Sequence, residues 1–141
     1  MMAEKLTKNK NEMPQLPKKN ILLAEDDQLV SQLTKRMLEI QNYNVFHVEN
    51  GKDCIHMLSR FPPGFFHLIL MDISMPLLDG LSAAFLIRNF MPQEKSIIPI
   101  IAYTSEDYGH IEQEILLSGI NDYVAKPASK HTLLSAVQRW I

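Results

Sequence analysis

The sequence contains a single cysteine, Cys54, so no disulfide can form within the chain. A lone thiol argues against the cysteine clusters that bind structural zinc or carry out disulfide exchange. This composition suits a reducing compartment. We therefore expect a cytoplasmic protein.

Long hydrophobic runs and glycine-rich loops are also missing. No stretch of about 18 apolar residues occurs, and residues 1–20 lack the apolar core of a signal peptide. We expect no contact with a membrane. The five glycines form no phosphate-binding loop, which argues against a nucleotide-binding protein.

Positive charge is scarce outside the N-terminal segment. Residues 1–19 hold five lysines and two glutamates, which leaves nine basic and fourteen acidic residues in the rest, a net charge of −5. Because an acidic body repels phosphate backbones, we expect no direct nucleic-acid binding. Residues 1–19 lack apolar periodicity and are predicted to be a flexible basic tail before a domain at residues 20–141. The alternative is a basic arm that docks a partner.

Apolar runs of strand length alternate with longer segments of helical period, which predicts an α/β fold with a five-stranded parallel sheet. The predicted strands are residues 20–25, 44–49, 66–71, 97–103 and 121–126. The predicted helices are residues 29–40, 51–61, 81–90, 105–118 and 129–140. In such a sheet the carboxyl ends of the strands lie along one edge, where ligands bind.

Charged and hydroxyl side chains stand at four of the five predicted strand ends. They are Glu25, Asp26 and Asp27, then Asp72, then Thr104, and finally Lys126. Crowded carboxylates repel one another unless a cation joins them, and oxygen ligands alone favour Mg²⁺. With a lysine and a hydroxyl beside it, Asp72 is the candidate nucleophile of a phosphoryl-transfer site. Each residue alone has a simpler interpretation as a cap, turn or surface residue, but their joint placement favours the functional one.

Four motifs in order carry a resemblance to a known family: ILLAEDD, LILMDISMPLLDG, IIAYTS and GINDYVAKP. They resemble the receiver domains of two-component response regulators, nearest in character to those of hybrid sensor kinases and phosphorelays. The similarity covers residues 19–141. It implies a flavodoxin-like, doubly wound (βα)5 fold with strand order 2-1-3-4-5. It also implies a signalling phosphoacceptor rather than an enzyme.

The resemblance implies a role for each residue at the predicted site. Asp72 would accept a phosphoryl group from the phosphohistidine of a sensor histidine kinase or a histidine phosphotransfer protein. Asp26, Asp72 and the backbone carbonyl of Ser74 would bind Mg²⁺, with Glu25 supporting it. Asp27 would have a secondary role outside the metal shell.

Further residues would read out the phosphoryl group. Lys126 would pair with the acyl phosphate, and its bond to Pro127 would be cis. Thr104 would hydrogen-bond the phosphoryl group and Tyr123 would rotate inward. This would switch the surface of the fourth helix, fifth strand and fifth helix for a downstream protein effector. Half-buried packing is the alternative role of Tyr123.

Ser74 and Glu106 occupy positions that the resemblance links to phosphoryl lifetime. A phosphatase of the haloacid dehalogenase type also uses a nucleophilic aspartate with Mg²⁺. That family has a D-x-D motif, in which the second aspartate serves as acid and base. In this sequence Ser74 stands at the second position, which argues against a phosphatase of this type. A degenerate receiver used only as a scaffold is a third hypothesis, and the full set of site residues argues against it.

Three points stay open at this level. The initiating methionine favours a free-standing relay or adaptor over a piece of a longer chain. Leu29 and Val30, after the EDD motif, would either dock the phosphohistidine partner or belong to the core. The FPPGFF segment would be a surface loop or an exposed aromatic docking patch.

Overall fold

The computed structural model describes residues 16–141, which form a five-stranded parallel sheet in the order β2-β1-β3-β4-β5. The strands are β1 (Asn20–Ala24), β2 (Asn44–Val48), β3 (Leu68–Met71), β4 (Ile100–Thr104) and β5 (Asp122–Ala125). The long helices are α1 (Gln28–Ile40), α2 (Gly51–Arg60), α3 (Gly80–Phe90), α4 (Tyr108–Ser118) and α5 (Lys130–Trp140). The predicted fold and strand order are confirmed.

The sheet separates two apolar layers, as expected for a parallel sheet covered on both faces. Side chains alternate along the central strand β3, so that Ile69 and Met71 face one layer and Leu68 and Leu70 the other. The first layer includes residues of α2, α3 and α4, and the second includes residues of α1 and α5. This doubly covered sheet holds the strand ends in fixed positions.

Three strands begin later than predicted at the amino side of the sheet, β5 by one residue, at Asp122. β4 begins at Ile100 rather than at residue 97, because Pro99 has no N–H for the strand ladder and Ile97 is exposed. β3 begins at Leu68 rather than at residue 66. A single helical turn, Gln93–Ser96, which the sequence did not predict, links α3 to β4.

α4 begins at Tyr108, three residues later than predicted. Asp107 is its N-cap, and its carboxylate accepts a hydrogen bond from Gly109 N–H. Ser105 and Glu106 therefore belong to the loop that follows β4. This loop lies at the carboxyl edge of the sheet.

The aromatic residues of the FPPGFF segment pack together instead of forming an exposed patch. Phe65 stacks on Phe61 with a centroid distance of 4.3 Å, and Phe66 is buried against the edge of Phe46. The four rings extend the first apolar layer. The docking-patch interpretation of this segment is wrong.

The guanidinium of Arg88 joins several parts of the chain at the amino edge of the sheet. It donates to the carbonyl oxygens of Gly119, Ser96 and Ile98. It also donates to the side chain of Asn121, whose Oδ1 accepts from Ile100 N–H. Five planar donors can satisfy such a set of acceptors, so Arg88 has a structural role.

The end of α5 is tied to the start of β5. Asp122 Oδ2 accepts from Trp140 Nε1 at 2.8 Å and from Arg139 Nη1 at 2.9 Å. Trp140 is the only tryptophan in the sequence. These bonds hold the last helix of the chain against the amino end of the edge strand.

Residues 1–15 lie outside the described part of the chain, so the predicted tail remains a prediction, although residues 16–19 are exposed. None of the helices in residues 16–141 is both long enough and apolar enough to cross a membrane.

His67 is held as a neutral ring between β1 and β3. Asn20 N–H donates to His67 Nδ1 at 3.0 Å, so this nitrogen carries no proton. Burial lowers the pKa of His67 below its ordinary 6.5, and the charge of Lys19 lowers it further. Protonation of the ring would break the bond from Asn20.

We expect His67 to make the fold less stable in mild acid. Because its pKa is lower in the folded chain, its contribution is complete above about pH 6.5 and is lost as the pH falls through the folded pKa. Urea unfolding should show that His67→Asn, which keeps an acceptor near Nδ1, loses less stability than wild type between about pH 7 and 5. Glu25 titrates equally in both proteins, so parallel curves would contradict this role.

Candidate functional site

The strand register brings Glu25 and Asp72 to the same level at the carboxyl edge of the sheet. Ala24 pairs with Met71, and Asp72 N–H donates to the Ala24 carbonyl at 2.9 Å. Glu25 and Asp72 therefore leave neighbouring strands side by side. Glu25 is fully buried, and Asp72 is nearly so.

The other half of the sheet brings Thr104 and Lys126 to the same edge. Thr104 pairs with Ala125, and Lys126 N–H donates to the Thr104 carbonyl at 2.9 Å. The Thr104 side chain is buried, and the Lys126–Pro127 peptide bond is cis, as predicted. The residues that the sequence places at separate strand ends therefore meet along one edge.

The ammonium of Lys126 bridges two of the carboxylates. Its Nζ donates to Glu25 Oε1 and, at 3.2 Å, to Asp72 Oδ2. It also lies 5.2 Å from the ring centroid of Tyr103. All three charged side chains are largely withdrawn from water, so each charge depends on the others.

Glu25, Asp26 and Asp72 form a cluster that suits a metal ion. Each offers one carboxylate oxygen, and these atoms lie within 4.8 Å of one another. Asp26 is exposed, so the cluster opens to solvent on one side. With the three carboxylates ionised and Lys126 as counter-charge, a net charge of −2 remains. A divalent cation matches this remaining charge, and the oxygen-only ligand set suits a hard one.

Burial dominates the titration of the Glu25 and Lys126 pair. Burial is the largest cause, the hydrogen bond from Lys126 opposes it and the charge of Asp72 adds to it, and together they raise the pKa of Glu25 from 4.5 to about 7. Burial also works to lower the pKa of Lys126. The hydrogen bond to Glu25 and the charge of Asp72 outweigh it, so this pKa is raised above 10.5. The ammonium therefore stays charged at neutral pH.

Asp27 lies outside the cluster and caps α1. Its Oδ1 accepts from Val30 N–H at 3.0 Å. Its own N–H donates to Glu25 Oε2 at 3.2 Å, which helps to orient that carboxylate. The secondary role that the resemblance implied for Asp27 fits a helix cap.

Glu106 connects the predicted switch residues through its backbone. Its N–H donates to Thr104 Oγ1 at 3.3 Å, and its carbonyl accepts from the Tyr123 hydroxyl at 2.5 Å. The Tyr123 ring is half-buried against Tyr108, with centroids 4.9 Å apart. The loop after β4 therefore contacts both Thr104 and Tyr123.

Ser74 and Glu106 also meet across the mouth of the site. Ser74 Oγ donates to Glu106 Oε1 at 2.5 Å. The resemblance linked both positions to phosphoryl lifetime, but only the fold shows that they touch, because 32 positions separate them. Their contact lies in the lining of a cleft that Asp26 and Asp79 also border.

Leu29 is exposed and is not a core residue. It is 65% exposed, and Leu33 one turn later is 54% exposed. Val30 is half-buried and lines a groove of about 660 Å³ between α1 and the segment after β5. The sequence left open whether Leu29 belongs to the core or to the surface, and the structure excludes the core.

A parallel sheet of this order, with an acidic cluster and a lysine at its carboxyl edge, defines the receiver class of signalling domain. The chain belongs to this family: the model of the response regulator receiver domain matches residues 21–138. The predicted family is confirmed, and the dehalogenase-type phosphatase is excluded as the family of this chain.

The curated relatives are mostly hybrid kinases and sensor proteins. The chain is 36% identical over 142 residues to the CAI-1 autoinducer sensor kinase/phosphatase CqsS of Vibrio cholerae, which covers 98% of this chain and 20% of that protein. It is 33% identical to hybrid signal transduction histidine kinase I of Dictyostelium discoideum, covering 89% of this chain and 7% of that protein. The chain thus spans a small part of these relatives.

Solved structures agree with this assignment. The receiver domain of a sensor histidine kinase from Pseudomonas aeruginosa, which has a magnesium ion coordinated in its active site cleft, matches with a TM-score of 0.78 at 33% identity. That match covers 88% of this chain and 98% of the other. The Vibrio cholerae chemotaxis protein CheY4 shares the fold, with a TM-score of 0.80 at 23% identity, covering 89% and 100%.

Gly80 allows the loop after β3 to lie against Asp72. An added Cβ at Gly80 would lie 2.1 Å from the Asp72 carbonyl oxygen and 2.9 Å from Ile73 Cα. Both are backbone atoms of the segment that carries the candidate nucleophile. In the sequence this glycine ends the LILMDISMPLLDG motif, and in the structure it follows Asp79, the N-cap of α3.

We expect Gly80→Ala to destabilise the fold by about 3 kcal/mol, because the backbone around Asp72 must shift to admit the new methyl group. Gly109→Ala is the matched control, since its Cβ would lie no closer than 3.6 Å to the nearest atom. In the first turn of α4 this control should be neutral or stabilising by about 0.5 kcal/mol. Equal urea midpoints for the two variants would contradict the close approach.

Proposed function

We propose that Asp72 accepts a phosphoryl group from the phosphohistidine of a sensor histidine kinase or a histidine phosphotransfer protein. The observation that carries this proposal is the contact of Lys126 with Asp72 inside the Glu25, Asp26 and Asp72 cluster. A carboxylate held beside a fixed cation, at an edge that opens to solvent, is a suitable nucleophile for phosphorus.

In this step an Asp72 oxygen forms a bond to phosphorus while the bond from phosphorus to the donor imidazole breaks. The electron pair of the broken bond stays on the imidazole nitrogen. Lys126 lies where it can neutralise an oxygen of the acyl phosphate, and the Thr104 hydroxyl can donate to another. Hydrolysis later returns Asp72 and inorganic phosphate. We infer that Ser74 and Glu106, which touch at the mouth of the site, set how fast water enters.

The donor set fits Mg²⁺. Asp26, Asp72 and the Ser74 carbonyl would bind the ion directly, and Glu25 would support it. When bound, Mg²⁺ supplies neutralisation of phosphoryl charge. The oxygen-only donor set of the cluster and the magnesium ion in the Pseudomonas aeruginosa receiver support this part of the proposal.

We infer that Thr104 and Tyr123 pass the signal to a downstream protein. The phosphoryl group adds a charge of about −1.5 to −2 at the sheet edge, which favours inward movement of Thr104 and Lys126. Glu106 bonds to Thr104 and to Tyr123, so movement of this loop changes the support of the tyrosine. The surface of α4, β5 and α5 would then favour a different partner.

We further propose that the phosphohistidine partner docks on α1. Leu29, Leu33 and Ile40 are exposed on this helix beside the groove that reaches Lys126. An apolar stripe next to the site can seat the donor helix and deliver its histidine to Asp72. We also propose that this protein is located in the cytoplasm, where the lone thiol of Cys54 stays reduced.

The proposal predicts phosphorylation by acetyl phosphate. Intact mass should show one added phosphoryl group that requires Mg²⁺ and is absent in Asp72→Asn. Asp27→Asn is the matched control, because asparagine also caps a helix and Asp27 lies outside the cluster. It should be labelled like wild type. A folded wild type that gains no phosphoryl group with Mg²⁺, and does not bind beryllofluoride, would mean that the chain is a scaffold.

Docking on α1 can be tested separately from the chemistry. Leu33→Ala should slow transfer from a phosphorylated histidine phosphotransfer protein about tenfold, because the truncated side chain no longer packs against the donor helix. Labelling by acetyl phosphate should be unchanged, since this small donor needs no docking surface. Ile97→Ala is the matched control, because Ile97 is an exposed apolar residue that lies outside α1 and its groove. Equal transfer rates for both variants would exclude docking at Leu33.

A further inference from the structure

An apolar groove lies between α3 and α4, away from the face that α1 presents. It has a volume of about 590 Å³ and is lined by Leu81, Phe85, Leu86 and Leu117. Phe85 is 48% exposed and Leu117 is 74% exposed. Two large side chains that face water across one groove form a surface suited to an apolar partner.

This groove continues into the cleft above the phosphoacceptor. Leu81 and Ser82 line both depressions, so a partner in the groove would reach the mouth of the site. The charged residues that line the two depressions are all acidic: Asp26, Asp79, Glu106 and Glu114. Among the described lining residues there is no lysine or arginine. Even with Asp26 bound to a metal ion, three carboxylates that form no salt bridge within residues 16–141 border this surface.

The groove beside α1 has the opposite charge. Its charged lining residues are Arg36, Lys130 and Lys126, of which Lys126 is paired with Glu25 and Asp72, and none of its described lining residues is acidic. A partner that complements one groove is therefore repelled by the other. The two surfaces require partners of different chemistry.

A second copy of this chain is a poor occupant of the α3–α4 groove. A symmetric pair would place each acidic border against the same border of its partner. Like charges brought together at an interface cost several kcal/mol. The groove instead matches an apolar segment that carries positive charge.

We propose that the α3–α4 groove binds an amphipathic, basic helix of a partner protein. The apolar stripe of this helix, with residues spaced three or four apart, packs between Phe85 and Leu117. Its lysine or arginine side chains face Glu114 and, toward the cleft, Glu106. This surface is separate from the α1 face, and it uses the side of α4 that faces α3 rather than the side that faces β5.

The probe is a synthetic peptide of about 15 residues with an apolar stripe of leucines and lysines at all other positions. A peptide of the same pattern with glutamates in place of lysines is its control. Binding to the full chain is measured with Mg²⁺ present by amide chemical shifts and by fluorescence anisotropy. We expect the lysine peptide to bind, to shift the amides of α3 and α4, and to weaken as salt rises. The glutamate peptide should not bind.

Substitutions locate the contact. Phe85→Ala and Leu117→Ala should each weaken binding about tenfold, and Glu114→Lys should weaken it through charge. Ile97→Ala, at an exposed apolar residue outside the groove, is the matched control and should bind like wild type. Phe85 and Leu117 face water, so their truncation leaves the core intact. Acetyl phosphate should label Phe85→Ala and Leu117→Ala like wild type, which separates this test from the test of the phosphoacceptor.

Three outcomes would overturn the proposal. Shifts confined to α1, or to the surface of α4, β5 and α5, would place the peptide elsewhere. Equal binding of the lysine and glutamate peptides would show that charge does not select the partner. Self-association of the chain in sedimentation that is lost in Phe85→Ala would assign the groove to a second copy.

Discussion

The contact of the Lys126 ammonium with Glu25 and Asp72 is the interaction on which the site depends. It joins the ends of three strands, and it needs all three strands in register, because each side chain lies one residue past its strand. Removing the lysine would leave two carboxylates largely withdrawn from water without their cation, which is unfavourable. In the proposed reaction, the same contact would hold Asp72 in place before the donor arrives.

Much of this arrangement could be predicted from the sequence. Apolar runs mark all five strands, and parallel topology then brings Glu25, Asp72 and Lys126 to one edge. Predictions failed where tertiary contacts outweigh local pattern. Phe65 and Phe66 do lie in a loop, but they form no exposed docking patch, because Phe46 of β2 packs against them. The contact of Ser74 with Glu106 depends on loop geometry, which no periodicity encodes.

The two grooves divide the surface by charge. The α1 side is basic and borders the lysine that faces the phosphoacceptor, so it can tolerate the approach of a negatively charged phosphoryl donor. The α3–α4 side is acidic and borders the loop that holds Asp72. A phosphoryl group on Asp72 would add negative charge between them. Phosphorylation would therefore strengthen the attraction of the α3–α4 groove for a basic partner. It would weaken the attraction of the α1 groove for an acidic partner.

The position of Trp140 decides what an optical experiment on this chain reports. It is the single tryptophan, and its indole N–H bonds to Asp122 at the amino end of β5, whereas Asp72 lies at the carboxyl edge. The emission of Trp140 therefore monitors the contact between α5 and the edge strand β5. A change in emission on phosphorylation would mean that the change at the carboxyl edge alters the contact between α5 and the amino end of β5. Constant emission would mean that this contact is unchanged.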